Sequence, residues 1–376
     1  MSELGNINKL NVKYHGQMVG SLMMSPDNDT AVFRYDDEWL ATGFSISPLE
    51  LPLERKLFIA PRTPFYGNFG IFEDSLPDGY GRYLLNRILK KEGIDDFNLT
   101  PLQRLAIVGA AGMGALCYEP AQGLIKDAIL PELDELQQLA LDVLSEKQTE
   151  GADVLYFNSG NSGGCRPKCL LREDGKDWLV KFRHTYDPMD IGEQEYRYMM
   201  LAERCGIEIP ECRLIKGKYF ASRRFDIAAN GERLHVATAA ALLSESINPP
   251  RADYKTLLSL TGWLTQSPRQ VEQMFRRMVF NVLIQNKDDH AKNFSFIWQN
   301  GTWRLAPAYD LLPYPEGYHG QHATSVMGKG LPKEEDMIAA GETIRIPARR
   351  ARLIIEEIKT KITDSSNPSS SPAMGG

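Results

Sequence analysis

The chain has 376 residues, 43% of them hydrophobic and 24% charged, with a formal net charge of −6. That length and apolar share suit two or three domains with a sizeable core, and the acidic balance argues against autonomous nucleic-acid binding. No run approaches the roughly 18 apolar residues of a membrane helix, and the first residues do not form a signal peptide.

The five cysteines, Cys117, Cys165, Cys169, Cys205 and Cys212, are odd in number and lack a paired Cys-x-x-Cys framework. Reduced thiols and a cytoplasmic location are expected. Cys165 and Cys169 would make half a metal site, but no second half with histidine accompanies them, so zinc is not expected.

Residues 7–60 read as β-rich. Leu10 to Tyr14 alternates, His15-Gly16 turns, Met18 to Leu22 returns, and Ala31 to Tyr35 is a further strand. Scattered prolines in 45–53 suit edges and loops. The segment Phe69 to Gly79 leads into a helix from Tyr80 to Lys91. Glycines 109, 112 and 114 sit before a strand ending at Tyr118. No Gly-Lys-Ser/Thr follows and no strand–turn–helix surrounds them, so they read as close packing or a turn rather than a phosphate site. A helix is expected from Pro131 to Glu146, with Leu133, Leu136, Leu139, Leu141 and Leu144 inward, then a polar connector over 147–155.

A second glycine cluster is more suggestive. Phe157 to Pro167 holds Gly160, Gly163 and Gly164 with Ser159 and Ser162, and an apolar strand follows. Glycines let backbone N–H groups approach phosphate oxygens. After an Asp174-Gly175 turn, Trp178 to Phe182 forms the partner strand and carries Lys181. A lysine inside an apolar strand is costly unless paired or bound to an anion. Alone it would read better as a residue on the solvent face of an edge strand. Glu195, in the next helix (Ile191 to Cys205), is the expected partner that changes the reading toward a phosphate-gripping lysine. Pro210 to Phe225 reads as strand, turn, strand, and the stretch to Gln285 as mostly helical.

The most informative stretch is Asn286 to Phe294. Val271, Phe275, Met278, Val279 and Val282 recur at helical spacing before it, and Phe294 to Trp298 reads as a strand after it, with an Asn300-Gly301 hairpin turn. Asp288 and Asn293 are thus placed on a loop, with Asp310 just past the hairpin. Phosphoryl transfer of the kinase kind needs a carboxylate to orient the attacking hydroxyl and oxygen ligands for magnesium. Asp288, Asn293 and Asp310 stand in the order that supplies them. The plainer reading, turn-capping Asp and Asn, suits any single match better than this ordered set. Residues 333–363 give further helices, with a basic cluster at Arg345, Arg349, Arg350 and Arg352 that reads most simply as a solvated face. From Asp364 the chain is Ser/Pro/Gly-rich and reads as a disordered tail.

Together these segments resemble the HipA-type toxins, serine/threonine kinases of bacterial type II toxin–antitoxin systems, over almost the whole chain. Phe72 to Gly79 is similar to the family's N-terminal motif, Ser162 to Lys168 to its phosphate loop, Arg224 to Asp226 to its hinge, Asn286 to Phe294 to its catalytic loop and Tyr309-Asp310 to its magnesium site. The resemblance implies an α+β, protein-kinase-like two-lobe fold with an extra β-rich N-terminal subdomain (1–120), a small lobe (121–226), a mainly helical C-terminal lobe (227–363) and a tail (364–376). It implies ATP and Mg2+ as cofactors. Asp288 would be catalytic, Asn293 and Asp310 would bind metal, and Ser162, Gly163, Gly164 and Lys181 would meet the phosphates, with Glu195 positioning Lys181. Arg223 and Phe225 would offer hinge backbone to adenine, and His290 and Lys292 would support the loop and phosphates. A HipB-like helix-turn-helix antitoxin and a protein substrate, with aminoacyl-tRNA synthetases among the family's targets, are the implied partners. DNA would be met only through the antitoxin complex, with Arg345 to Arg352 as the candidate face and no membrane involved.

Two departures stand out. Asn161 occupies the position where the family carries a self-phosphorylated serine, so that self-modification is either lost here or moved to Ser159 or Ser162. Asp289 stands where a glycine is common, and its carboxylate would alter the loop's charge or assist metal binding. Two other function classes fit less well. A small-molecule phosphotransferase shares the Asp288 to Asn293 pattern but not the N-terminal subdomain. A non-enzymatic co-regulator would not need the intact Asp288, Asn293, Asp310 and Lys181 set.

Overall fold

The computed structural model describes residues 5, 7–123, 130–147, 150–159 and 163–366. The first unit is a sheet of five antiparallel strands: β1 (Lys9–Tyr14), β2 (Gln17–Met24), β3 (Ala31–Tyr35), β4 (Phe58–Ile59) and β5 (Leu116–Glu119), in the order β4-β3-β2-β1-β5. His15 and Gly16 both take positive φ, 46° and 79°, which is the two-residue hairpin turn whose twist matches the strands it joins. Alternation along the strands sends Leu10, Val12, Leu22, Phe33 and Tyr35 into the core.

Four helices belong to this region: α1 (Asp37–Thr42), α2 (Gly70–Glu73), α3 (Gly79–Lys91) and α4 (Pro101–Val108). The sequence reading had no helix over 101–108. The signal was there, because Thr100 and Gln103 form a reciprocal capping box with Pro101 at the first helical position.

The small lobe follows. Helices α5 (Leu133–Leu144) and α6 (Ala152–Ser159) precede β6 (Lys168–Glu173), β7 (Lys176–Lys181), α7 (Ile191–Arg204), β8 (Cys212–Ile215) and β9 (Tyr219–Arg223), and the sheet runs β6-β7-β9-β8. Two expectations are corrected here. The buried face of α5 is Leu133, Leu136, Ala140 and Val143, a stripe at helical spacing, and the other leucines are only half-buried. The connector expected over 147–155 gives way to α6 at Ala152, so Phe157, Asn158 and Ser159 are helical rather than part of the glycine loop.

The large lobe holds β10 (His235–Thr238), α8 (Ala239–Leu242), α9 (Tyr254–Thr265), α10 (Pro268–Ile284), β11 (Ser295–Gln299), β12 (Thr302–Leu305), α11 (Glu334–Thr343) and α12 (Ala348–Ser366). Strand β10 pairs with β11 across some sixty residues of chain, a partnership no local pattern announces. Helix α12 continues through Ser366, three residues into the expected tail, and the rest of that tail lies outside the described residues.

Two apolar cores result. The larger joins the first sheet to α7, α9, α10 and α12. The smaller joins α3, α5 and α6 to the small-lobe sheet. Helices α2 and α8 touch so closely that a Cβ on Gly70 would lie 2.4 Å from the Ala241 carbonyl oxygen.

Candidate active site

Helix α10 buries Met274, Phe275, Met278 and Val279 and ends at Gln285, whose left-handed φ of 57° turns the chain into the polar loop. The next residue, Asn286, is buried. Its Nδ2 donates to Asn281 Oδ1 and to the Asp310 carbonyl, both at 3.0 Å. One side chain thereby ties the loop carrying Asp288 to the residue after the hairpin. Within the loop, Asn293 Nδ2 donates to the Asp288 carbonyl at 2.8 Å. Tyr309 OH donates to the Lys292 carbonyl at 2.7 Å and lies 2.6 Å from Ser295 Oγ.

The two lobes meet at Lys181. Its ammonium contacts the Glu195 carboxylate from α7 and Asp310 Oδ1 at 2.6 Å. Burial disfavours the lysine's charge, but Asp310 and then Glu195 outweigh it and raise its pKa above the ordinary value. Asp310 is the mirror case: burial opposes its ionisation, and Lys181 holds it well below the usual carboxylate range. Asp288 is different. Burial raises its pKa, with His290 opposing and Asp310 and Asp289 reinforcing the rise. Two carboxylates in one cleft are thus driven apart, one firmly ionised and one poised to take a proton. The ring of His290 is half-buried, and its Nδ1 has no hydrogen-bond partner among the described residues.

Asp289 turns away from this cleft. It is fully buried and accepts from Tyr254 OH at 2.8 Å and the Thr324 N–H at 3.2 Å, with His322 Nδ1 at 3.0 Å. The expectation that its carboxylate would assist a metal is corrected: it is an internal acceptor that fixes the loop to the lobe beneath, while its charge still adds to the rise in the Asp288 pKa.

Gly164, ahead of β6, is held from the N-terminal region. Gly164 N–H donates to Asp78 Oδ1 at 2.6 Å, its carbonyl accepts from Tyr80 N–H at 3.0 Å, and Lys292 Nζ donates to Asp78 Oδ2 at 2.7 Å. Gly79 takes φ +44°, and a Cβ there would come within 2.5 Å of the Gly164 carbonyl oxygen, so only glycine permits the approach. Lys292, expected near the phosphates, therefore reaches the loop through Asp78. Arg166, two residues beyond the glycines, forms a two-pronged ion pair with Asp187 at 2.9 and 3.0 Å. Neither Asp78 nor Arg166 was singled out from sequence. Asp78 looks like an N-cap for α3, yet it makes no side-chain capping bond there.

Ser159 is buried at the end of α6, with its Oγ donating to the Tyr156 carbonyl at 3.0 Å, whereas Asn161 and Ser162 lie outside the described residues. At the hinge, Arg223 N–H is taken by the Glu211 carbonyl at 2.8 Å and Arg224 N–H by the Asp177 carbonyl at 2.9 Å. Phe225 N–H donates to no acceptor among the described residues, and its ring stacks on Tyr309 at 5.6 Å. Behind the hinge, Asp226 binds Arg224 and accepts from Gly114 N–H at 3.1 Å, and Arg233 donates to the carbonyls of Ala110 and Gly112. The first glycine cluster is thus a close-packed turn against the hinge.

Among the described residues, no three His, Cys, Asp or Glu side chains form a self-contained metal cluster. Asp310 Oδ2 and Asn293 Oδ1 are oxygens left over once Lys181 and the Asp288 carbonyl are bound. Such a donor set fits magnesium, which commonly completes its shell with water and substrate phosphates. In the basic cluster, Arg350 is paired with Glu272, at 2.6 and 3.0 Å, while Arg345, Arg349 and Arg352 are exposed.

Comparison with known proteins agrees with this architecture. Residues 10–119 match the family described as the HipA N-terminal domain and residues 160–366 the HipA-like C-terminal domain. Y4dM of Sinorhizobium fredii is 30% identical over 337 residues, 82% of this chain and 78% of that one. The serine/threonine-protein kinase toxin HipA of Shewanella oneidensis is 24% identical over 78% of this chain and 72% of its own. The solved complex of Shewanella oneidensis HipA, HipB and operator DNA contains a chain that superposes with a TM-score of 0.70 at 20% identity, covering 94% of this chain and 88% of that one.

Proposed function

From a chain that belongs to the HipA family and has its two-lobe kinase-like fold, we propose an ATP- and magnesium-dependent serine/threonine-protein kinase acting as the toxin of a toxin–antitoxin pair. The observation that carries this reading is Lys181, joined to Glu195 on one lobe and to Asp310 on the other, beside an Asp288 whose carboxyl favours its proton more than usual.

In this reading the adenine lies against the hinge, where Phe225 N–H is a donor without an acceptor among the described residues, and the phosphates lie under Gly163 and Gly164 near Lys181. Asp288 accepts a hydrogen bond from the target's serine or threonine hydroxyl. The hydroxyl oxygen attacks the γ-phosphorus, the bond to the β,γ-bridging oxygen breaks, ADP leaves and the hydroxyl proton passes to Asp288. Magnesium, held by Asp310 and Asn293, would supply charge neutralisation at the phosphates.

The substrate is a cellular protein, with aminoacyl-tRNA synthetases the class suggested by the family resemblance. The partner is a HipB-like antitoxin, as the Shewanella oneidensis complex has. DNA would be met through that partner, near the exposed Arg345, Arg349 and Arg352.

The test is labelled-phosphate transfer from Mg·ATP into whole-cell lysate protein, with Asp288→Asn alongside. The wild type should label protein, and the variant should lose transfer by about 10²–10⁴-fold while ATP still raises its melting temperature. Undiminished transfer by Asp288→Asn, or label appearing only in small hydroxyl metabolites, would sink the reading.

A further inference from the structure

Two exposed tyrosines flank the mouth of the cleft and take no part in the chemistry above. Tyr186, 69% exposed, stands on the loop between β7 and α7, and Tyr314, 46% exposed, on the segment after Asp310. Each rises from backbone that is tied down. Around Tyr186, Arg166 grips Asp187, the His184 N–H donates to Asp187 Oδ2 at 2.8 Å, and the His184 ring stacks on the tyrosine with centroids 4.0 Å apart. Tyr314 N–H donates to the Gln285 carbonyl at 3.0 Å, and its own carbonyl accepts from Lys287 N–H at 3.3 Å. Lys287 Nζ reaches on to the Pro315 carbonyl at 2.9 Å, so Tyr314 is mounted on the residue that precedes Asp288.

The two rings belong to one opening. Burial raises the Tyr186 pKa, and Asp187, Cys165 and Tyr314 add to the rise, which puts the two phenols within electrostatic reach of each other across the cleft. Burial raises the Cys165 pKa as well, with Asp78, Asp288 and Asp310 adding to it, so the candidate catalytic carboxylate lies just inside the same opening. The charges at the mouth select neither a basic nor an acidic partner: Arg166 is committed to Asp187, and Lys287 and Glu316 are of opposite sign. Apolar surface continues on both sides, in the exposed Met189 beyond Tyr186 and Tyr318 beyond Tyr314. What crosses this opening follows from Asp288, because a chain that presents a hydroxyl to that carboxylate passes between the rings.

We propose that Tyr186 and Tyr314 form a clamp for the protein substrate, closing on a bulky apolar side chain that lies within a few residues of the serine or threonine presented to Asp288. This rests on the kinase reading above. An extended segment advances roughly 3.3 Å per residue, so its acceptor can sit at Asp288 while a side chain two or three positions away rests at the mouth. Ring faces from both lobes bury an aliphatic or aromatic side chain there, and the clamp selects targets by apolar contact rather than by charge.

The experiment starts from the protein that the wild type labels with Mg·ATP, its phosphorylated residue mapped by mass spectrometry. Side chains within about three positions of that residue are changed to alanine in turn, and kcat/KM is measured with wild type, Tyr186→Ala, Tyr314→Ala and the two Tyr→Phe variants. One apolar change in the substrate should cost about tenfold with the wild type. With either Tyr→Ala variant the native substrate should lose about as much and the same change should cost little further, because one contact is lost either way. The phenylalanine variants should keep the discrimination, and KM for ATP and the melting temperature should stay at wild-type values. Losses that add in full, a coupled residue that is basic and so held by cation–π attraction, or Tyr→Ala kinetics equal to the wild type overturn the inference alone. A lower melting temperature together with a raised KM for ATP, or failure to fold, assigns the tyrosines to the architecture and also overturns it. Wild type that melts higher with ATP yet labels no protein overturns the kinase reading, and this inference with it.

Discussion

Asp288 and Asp310 share a cleft, yet burial raises the pKa of one and Lys181 depresses the other. Only the ionised form of Asp288 can take the hydroxyl proton, so transfer should rise with pH through an acid limb above the ordinary aspartate range. Asp310 is ionised well below that limb, and Lys181 keeps its proton well above it. A profile of kcat/KM against pH, with Asp288→Glu alongside, checks this. An acid limb that stays put in the glutamate variant would assign it to another group. Asp289, its neighbour, is a buried hydrogen-bond acceptor. Asp289→Ala removes the acceptor of the Tyr254 O–H and of the Thr324 N–H in a buried site, where Asn281 Nδ2 still donates to the Tyr254 oxygen. At roughly 1–3 kcal/mol for each unsatisfied group, a loss of about 3 kcal/mol in urea unfolding is expected.

At the scale of elements, the docking of α2 on α8 is held by carboxylates as well as by close packing. Glu50 accepts from Gly70 N–H and Ser244 Oγ, both at 2.9 Å, and Asp74 accepts from Thr238 N–H and Oγ1 at 2.7 and 2.9 Å. Burial pushes Glu50 up to about 7 from 4.5 and Asp74 up to about 6. The native chain then holds protons that the unfolded chain has released. This contribution is complete below the unfolded value of 4.5 and is lost as pH rises through about 7. Glu50→Gln should flatten the fall in unfolding free energy over this range, leaving the smaller part that Asp74 supplies. An undiminished slope in the glutamine variant would remove Glu50 from the explanation.

Across the whole molecule, the larger core makes the N-terminal sheet and the helical lobe one packing unit, although residues 120–234 lie between β5 and β10 in sequence. Phe72, fully buried, packs against the rings of Phe33 and Tyr118 within it. Phe72→Ala should cost about 3–5 kcal/mol. Hydrogen exchange should quicken in β2 and in α10 together, whereas quickening confined to the N-terminal strands would show that the two parts open separately. The cleft is framed by the same arrangement. Asp78 reaches from the N-terminal region to Gly164 and to Lys292 on the Asp288–Asn293 loop, so the candidate site is assembled from three stretches of chain.

Local pattern carried much of this. The hairpin at His15-Gly16, the α10 stripe and the order Lys181, Glu195, Asp288, Asn293, Asp310 are legible because period, turn chemistry and residue type are properties of neighbours in sequence. The capping box at Thr100 was equally local and went unread. Other features depend on distance in the chain. The pairing of β10 with β11, the inward turn of Asp289 and Asp78 on Gly164 each depend on groups tens of residues away. Whether a carboxylate faces a cleft or a core, and whether a lysine has a partner, is set by which surfaces pack together. Sequence supplied the charges and their spacing; the tertiary fold decided which were already neutralised and which remain for a ligand.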